Sequence, residues 1–195
     1  LQDLCDINIT HSDTDSVLAV ASTGRPSRAT ALMHGLWGTD QIERTSAIIT
    51  VDQSVDVHNL EAVAFALAHN INWDHDMLIN RRIGANNADV TYGIDATRSN
   101  HTPSRSTDPA ITRPHMVWQG QLLVVPAKAG EDTNELMAAL WSLQPTYHLL
   151  ITKAQADLQD ITSVFYDVLK TLNWKTDIIS SENSHNRIAI NAAEL

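Results

Sequence analysis

Short apolar runs alternate with striped, mixed-polarity segments along most of this chain. Val17-Leu18-Ala19-Val20-Ala21, Ala47-Ile48-Ile49-Thr50-Val51 and Met77-Leu78-Ile79 show no in/out alternation. That is the pattern of strands covered on both faces in a parallel sheet. After Pro26, a good first-turn residue, apolar side chains at Ala29, Leu32, Met33, Leu36 and Trp37 fall on one helix face. A second stripe follows at Leu60, Val63, Leu67 and Ile71. Strand, helix, strand, helix, strand is the order of crossover units that bury a sheet under helices.

The same order returns in the second half. Leu122 to Val125 and Leu149 to Thr152 read as strands around a helix near Asp132 to Ser142, which Asp132 and Glu135 open as a capping pair. A further stripe lies at Ile161, Val164, Val168 and Leu172. Leu18 aligns with Leu123, Trp37 with Trp141 and Trp73 with Trp174, at offsets of 105, 104 and 101, so the offset shrinks only at loops. Asn72-Trp73 with Asp76 is answered by Asn173-Trp174 with Asp177. The expected fold is α/β: two similar three-layer units with mainly parallel sheets, related by internal duplication. The first spans residues 1–115 and the second 116–195. Between them, roughly Asn80 to Pro114 is dominated by Asn, Arg, Ser, Thr, Gly and Pro and reads as an extended arm at about 80–115, a functional segment or equally a solvated linker on composition alone.

Composition narrows the function classes. Of 195 residues 43% are apolar, enough for real cores, and 23 acidic against 13 basic side chains leave a net charge of −10. Such a surface repels nucleic acid and anionic membrane. No apolar run reaches the roughly 18 residues of a bilayer crossing. The single cysteine, Cys5, has no partner for a disulfide, zinc or redox motif, which points to a reducing cytoplasmic setting. The start at Leu1, running into an apolar segment, suggests a piece of a longer protein.

Individual residues offer little catalytic promise. His11, Asp13 and Asp15 alternate as metal ligands would on a strand, but a solvated loop explains them as well. Asp52, Asp56 and His58 follow a strand at the edge where open sheets bind ligands, and there a nucleotide-binding reading is open; capping of the next helix explains Asp56 to Asn59. His75 between Asp74 and Asp76 has the charges of a tuned acid or base, and also the look of an exposed turn. Gly24 alone is no dinucleotide fingerprint, and no serine sits in a nucleophile elbow. No catalytic residue and no metal site is assigned.

Three stretches together resemble one family. Leu18-Ala19-Val20 runs into Pro26 and Arg28-Ala29 and on to Met33 and Leu36-Trp37. Ile48 to Ile79 follows, with Val51-Asp52, Val55-Asp56-Val57, Leu60 to Val63 and Trp73 to Asp76. Gly93-Ile94-Asp95-Ala96-Thr97-Arg98 and then Arg113-Pro114 complete the set. In this order they are similar to the C-terminal region of UbiD-type decarboxylases, which use prenylated flavin mononucleotide. The resemblance covers about residues 4–118, and the second copy carries no family motif.

The resemblance implies the oligomerisation and lid region of a non-oxidative aromatic-acid decarboxylase, a carboxy-lyase acting on 3-polyprenyl-4-hydroxybenzoate or on a menaquinone-pathway acid. Prenylated FMN and a divalent metal would sit in a flavin domain missing here, with none bound to this fragment, which would be inactive alone. Thr91, Gly93, Asp95, Thr97 and Arg98 would form the cofactor-proximal loop; Thr91 departs from the family pattern, which has lysine there. The implied partners are further copies of the chain, as a dimer or higher homo-oligomer, and an aromatic acid substrate. Membrane association would arise only through a lipid-like substrate. The rival reading is a stand-alone α/β binding or scaffold module without catalysis.

Overall fold

The computed structural model describes residues 2–11, 16–39, 42, 45–83, 88–97, 104–180 and 187–193. The first unit runs β1 (Leu4–His11), β2 (Val17–Thr23), a 3-10 turn (Pro26–Arg28), α1 (Ala29–Trp37), β3 (Ala47–Asp52), α2 (Leu60–Asn70), β4 (Met77–Ile83) and β5 (Ala88–Ala96). Its sheet has the order β1-β2-β3-β5-β4. The second runs β6 (Arg105–Ser106), β7 (Met116–Trp118), β8 (Leu122–Pro126), α3 (Thr133–Leu143), β9 (His148–Thr152), α4 (Ile161–Thr171), β10 (Ile178–Ser180) and β11 (Ile188–Ala192). Its sheet has the order β10-β11-β9-β8-β7-β6.

The helices bury the stripes read from the sequence. Ala29, Leu32, Met33, Leu36 and Trp37 are the buried residues of α1, and Ile161, Val164 and Val168 are buried in α4. Short polar side chains start three of the helices by accepting orphan amides: Asn59 from Glu61 and Ala62, Asp132 from Asn134 and Glu135, and Asp160 from Ser163.

The layers follow from which face each stripe covers. On the first sheet, α1 packs over Ala19, Ala21 and Ile48. On the second, Leu136, Met137 and Leu140 of α3 pack over Leu123, Val125 and Leu149. The opposite faces of both sheets share one core with α2 and α4, which includes Leu18, Val20, Ile49, Leu122, Val124 and Leu150. Trp73 of the first unit stacks on Phe165 of α4 with centroids 5.8 Å apart. The two units therefore bury their inner faces against one another.

Both sheets are mixed, which corrects the expectation of mainly parallel sheets. Parallel pairing is confined to β2, β3 and β5 and to β8, β9 and β11. Antiparallel edges are added by β1 and β4 in the first sheet and by β7 and β10 in the second. β1 is no continuous apolar run, since Leu4, Ile7 and Ile9 are interspersed with Asp6, Asn8 and Thr10, the pattern of a half-covered edge strand.

Apart from the extra strand β6, the two sheets share the same pairing scheme, and the turns repeat it in detail. In the first unit Asn72 N donates to Asp76 Oδ2 at 2.7 Å and Asp95 N to the Asp76 carbonyl at 2.8 Å. In the second, Asn173 N donates to Asp177 Oδ2 at 2.8 Å and Asn191 N to the Asp177 carbonyl at 2.8 Å. Trp73 and Trp174 occupy the same place before β4 and β10. One alignment anchor shifts. Leu18 shares the inner core with Leu122, whereas Leu123 lies on the outer face, so the strand offset is 104. A one-residue slip moves a side chain to the other face of a sheet.

Much of the described part of the arm expected at about 80–115 is built into the sheets, through the end of β4, all of β5 and the short β6. β5 lies between β3 and β4, with Ile49 opposite Ile94 and Leu78 opposite Gly93. Tyr92, Ile94 and Ala96 enter the inner core. Averaged composition hid this alternation, and ladder pairing to two strands satisfies the backbone that composition treated as exposed. Residues 104–115 pack on the second sheet. Arg113 donates from Nη1 and Nη2 to the two carboxylate oxygens of Glu131, both at 2.8 Å, and from Nη2 to the Pro126 carbonyl at 2.7 Å.

Candidate functional site

The parallel strands of the first sheet end together at Thr23, Asp52 and Ala96, and the residues singled out from the sequence gather at this edge. Asp52 Oδ1 accepts from Ser54 N at 3.0 Å and Ser54 Oγ at 2.6 Å. Asp95 does the same at the end of β5, its Oδ1 accepting from Thr97 N at 3.0 Å and Thr97 Oγ1 at 2.6 Å. Such local bonds fix a turn. They leave the second oxygen of Asp95 as the group able to accept from a donor beyond the strand end.

The expected cofactor-proximal loop is thus the last part of a strand and the turn after it. Thr91 and Gly93 are buried strand residues. A Cβ on Gly93 would lie 2.6 Å from Met33 Sδ and 2.9 Å from Trp37 Cη2, so glycine here admits helix α1 against the sheet. Thr91 Oγ1 is buried with no hydrogen-bond partner among the described residues. Asp95 is half-buried, Thr97 is buried, and Arg98 lies outside the described residues.

The other candidates resolve mostly into structural roles. Asp56 Oδ1 accepts from His58 N at 2.9 Å, and His58 Nε2 faces Asp6 Oδ2 at 3.4 Å in the open. In the matching stretch of the second unit Asp157 Oδ1 accepts from Gln159 N at 2.8 Å. His75 is exposed on its turn, and Cys5 is exposed in β1. His11 closes β1, while Asp13 and Asp15 lie outside the described residues. Among the described residues no three His, Cys, Asp or Glu side chains are grouped to hold a metal. The edge offers neither a glycine-rich anion cradle nor an open approach at Gly93. The described residues therefore do not by themselves fit a flavin or its metal.

Sequence reasoning missed one polar cluster, at the seam of the two units. Asp74 Oδ1 meets Arg187 Nη1 and His148 Nε2, the latter at 3.3 Å. Gln121 Nε2 donates to Asp74 Oδ2 at 3.1 Å, while Gln121 Oε1 accepts from Trp73 N at 3.0 Å. Burial, aided by the Arg187 charge, holds the His148 imidazole below its ordinary value against the pull of Asp74. Partial burial raises the Asp74 carboxyl, but the bond to and charge of Arg187, with help from His148, leave it below the usual range. Asp74 and Arg187 are 113 positions apart, and Lys175 stands where the repeat would place another Asp74, so neither motif nor duplication pointed to the cluster.

The first half is a mixed-sheet α/β unit whose strand β5 closes on Gly93-Ile94-Asp95-Ala96, with Thr97 just beyond it. Residues 2–95 match the 3-octaprenyl-4-hydroxybenzoate carboxy-lyase C-terminal domain. That match, over just under half of this chain, supports a UbiD-type C-terminal region. A curated relative, an uncharacterized protein of Archaeoglobus fulgidus, is 28% identical over 79 residues, which are 40% of this chain and 16% of that protein. The UbiD-class enzyme HmfF of Pelotomaculum thermopropionicum, solved with FMN, aligns at 16% identity and a TM-score of 0.43 over 57% of this chain and 28% of its own. The vanillic acid decarboxylase of Sedimentibacter hydroxybenzoicus in closed form aligns at 19% identity and a TM-score of 0.43, over 72% of this chain and 29% of its own. The 3,4-dihydroxybenzoic acid decarboxylase AroY of Klebsiella pneumoniae aligns at 14% identity and a TM-score of 0.40, over 55% and 28%. This chain thus spans under a third of each of these solved chains and a sixth of the curated relative. No helix among the described residues is long and apolar enough to cross a membrane.

Proposed function

We propose that this chain is the oligomerisation and lid region of a UbiD-type non-oxidative aromatic-acid decarboxylase. The observation that carries the reading is the family match over residues 2–95, which ends on the strand presenting Asp95 at the sheet edge. In the complete enzyme a separate flavin domain holds prenylated FMN and a divalent metal, and this region supplies neither. The strand end at Asp95 and Thr97 faces that domain, with Asp95 Oδ2 accepting a hydrogen bond from a donor on it, and Arg98 follows in sequence. Thr91 and Gly93 act from beneath, by seating the strand under α1. The substrate is an aromatic acid, either a 3-polyprenyl-4-hydroxybenzoate or an acid of menaquinone synthesis. Copies of the chain associate as a dimer or higher oligomer in the cytoplasm, and a membrane is met only through a lipid-like substrate.

The test is the full-length protein, produced with prenylated flavin and assayed for CO2 release from aromatic acids, with and without Asp95→Ala. Turnover that falls in the variant while flavin content stays the same supports the reading. A flavin-loaded protein that releases CO2 from none of these acids leaves the scaffold-module reading in its place.

A further inference from the structure

The seam cluster is set up for one protonation state. The Ile188 amide donates to His148 Nδ1 at 3.3 Å. Two donors face the ring, the Ile188 amide at Nδ1 and the Arg187 guanidinium at Nε2, and an imidazolium accepts from neither, so the ring is neutral; when Nδ1 accepts, its hydrogen lies on Nε2, 3.3 Å from Asp74 Oδ1. Arg187 Nη1 lies 2.9 Å from the same Nε2 and shares that carboxylate oxygen. Among the described residues, Asp74 on the turn before β4 and Arg187 just before β11 are the charged groups that touch this ring. Trp73, with its ring 6.2 Å away, packs beside it and is itself held by Phe165 of α4.

We propose that His148 is a pH-sensitive clip, whose neutral ring pins the start of β11 to β9 and to the Asp74 turn of the other unit. A second proton must go onto Nδ1. There it turns an N–H against the Ile188 N–H and removes the bond that holds β11 at its first residue. The resulting imidazolium also stands beside the Arg187 guanidinium with one carboxylate for two cations. Gln121 holds the other oxygen of Asp74 at 3.1 Å, so the carboxylate is not free to swing between them. Arg187 is the member with a way out, since its side chain keeps 18% of its surface exposed while that of His148 keeps 4%. Protonation therefore expels Arg187, frees the start of β11 and loosens the β10–β11 edge of the second sheet. The inner core remains closed, because it rests on apolar contacts that do not titrate.

The experiment uses the whole chain and two readouts between pH 8 and pH 4. Ring NMR follows the His148 titration, and hydrogen exchange follows the Ile188 amide relative to Leu149 and Leu123, corrected for intrinsic exchange rates. The expected result is a His148 midpoint below the ordinary imidazole value of about 6.5. Ile188 protection falls tenfold or more across that midpoint while Leu149 and Leu123 keep theirs. In His148→Asn, whose Oδ1 replaces the accepting nitrogen and does not titrate, Ile188 protection is flat with pH. A His148 midpoint at or above 6.5, no titration above pH 4, or Ile188 protection constant through the wild-type transition each overturns the proposal. The wild-type measurements decide it even if the variant does not fold.

Discussion

Gly93→Ala tests whether this glycine serves α1 packing. The added methyl carbon would stand 2.6 Å from Met33 Sδ, 2.9 Å from Trp37 Cη2 and 3.3 Å from Leu78 Cβ. Comfortable heavy-atom contacts lie at about 3.5–4.0 Å, so two groups must each retreat by close to 1 Å. Met33 is fully buried and Trp37 is 4% exposed, which leaves neither an open direction. Overpacking of this kind costs about 1–3 kcal/mol. Replacing a strand glycine by alanine returns about 0.5–1 kcal/mol of backbone entropy. The net expectation is a loss of about 1–2 kcal/mol, read as a lower urea midpoint with an unchanged slope. The loss should shrink in a Met33→Ala background, where the sulfur that blocks the methyl is gone. A neutral or stabilising Gly93→Ala, or an undiminished cost in that background, would refute the steric account and return Gly93 to a role outside this fold.

Three further outcomes are expected. Asp95→Ala removes the acceptor for the Thr97 amide and hydroxyl; it should cost about 1–2 kcal/mol in thermal unfolding, so any loss of turnover in the full enzyme must be judged on folded protein. Trp118→Phe removes the 2.6 Å bond from Trp118 Nε1 to the Ala68 carbonyl near the end of α2 and should lower stability by about 1 kcal/mol; an unchanged denaturation midpoint would show that Gln119 or water replaces it. The Arg113 fork, with the Lys128 amide, holds the Glu131 carboxyl down to about 2 from an ordinary 4.5. A depressed carboxyl stabilises the fold above its unfolded value and loses that contribution as pH falls toward the folded one. Urea midpoints should accordingly drop between pH 4.5 and pH 2, and Arg113→Gln should flatten that drop; an equal slope in both proteins would count against the pair.

Much of this protein is written in local pattern. Pro26 ahead of the Ala29-to-Trp37 stripe, Asp132 before α3 and the unbroken runs at Val17 and Ala47 each specify an element through contacts within a few residues, and all of them formed as expected. The Asn-Trp repeat likewise marked two turns that share their hydrogen bonds. The rest depends on neighbours distant in sequence. β5 is a strand because β3 and β4 flank it, and its polar outer face sits under α1, which no composition average reveals. Leu18 pairs with Leu122 because both face the core between the units, a choice of side that the apolar runs leave open. Asp74, His148 and Arg187 come together only when two halves of the chain fold against each other, and the charge pattern of that meeting has no counterpart in either repeat.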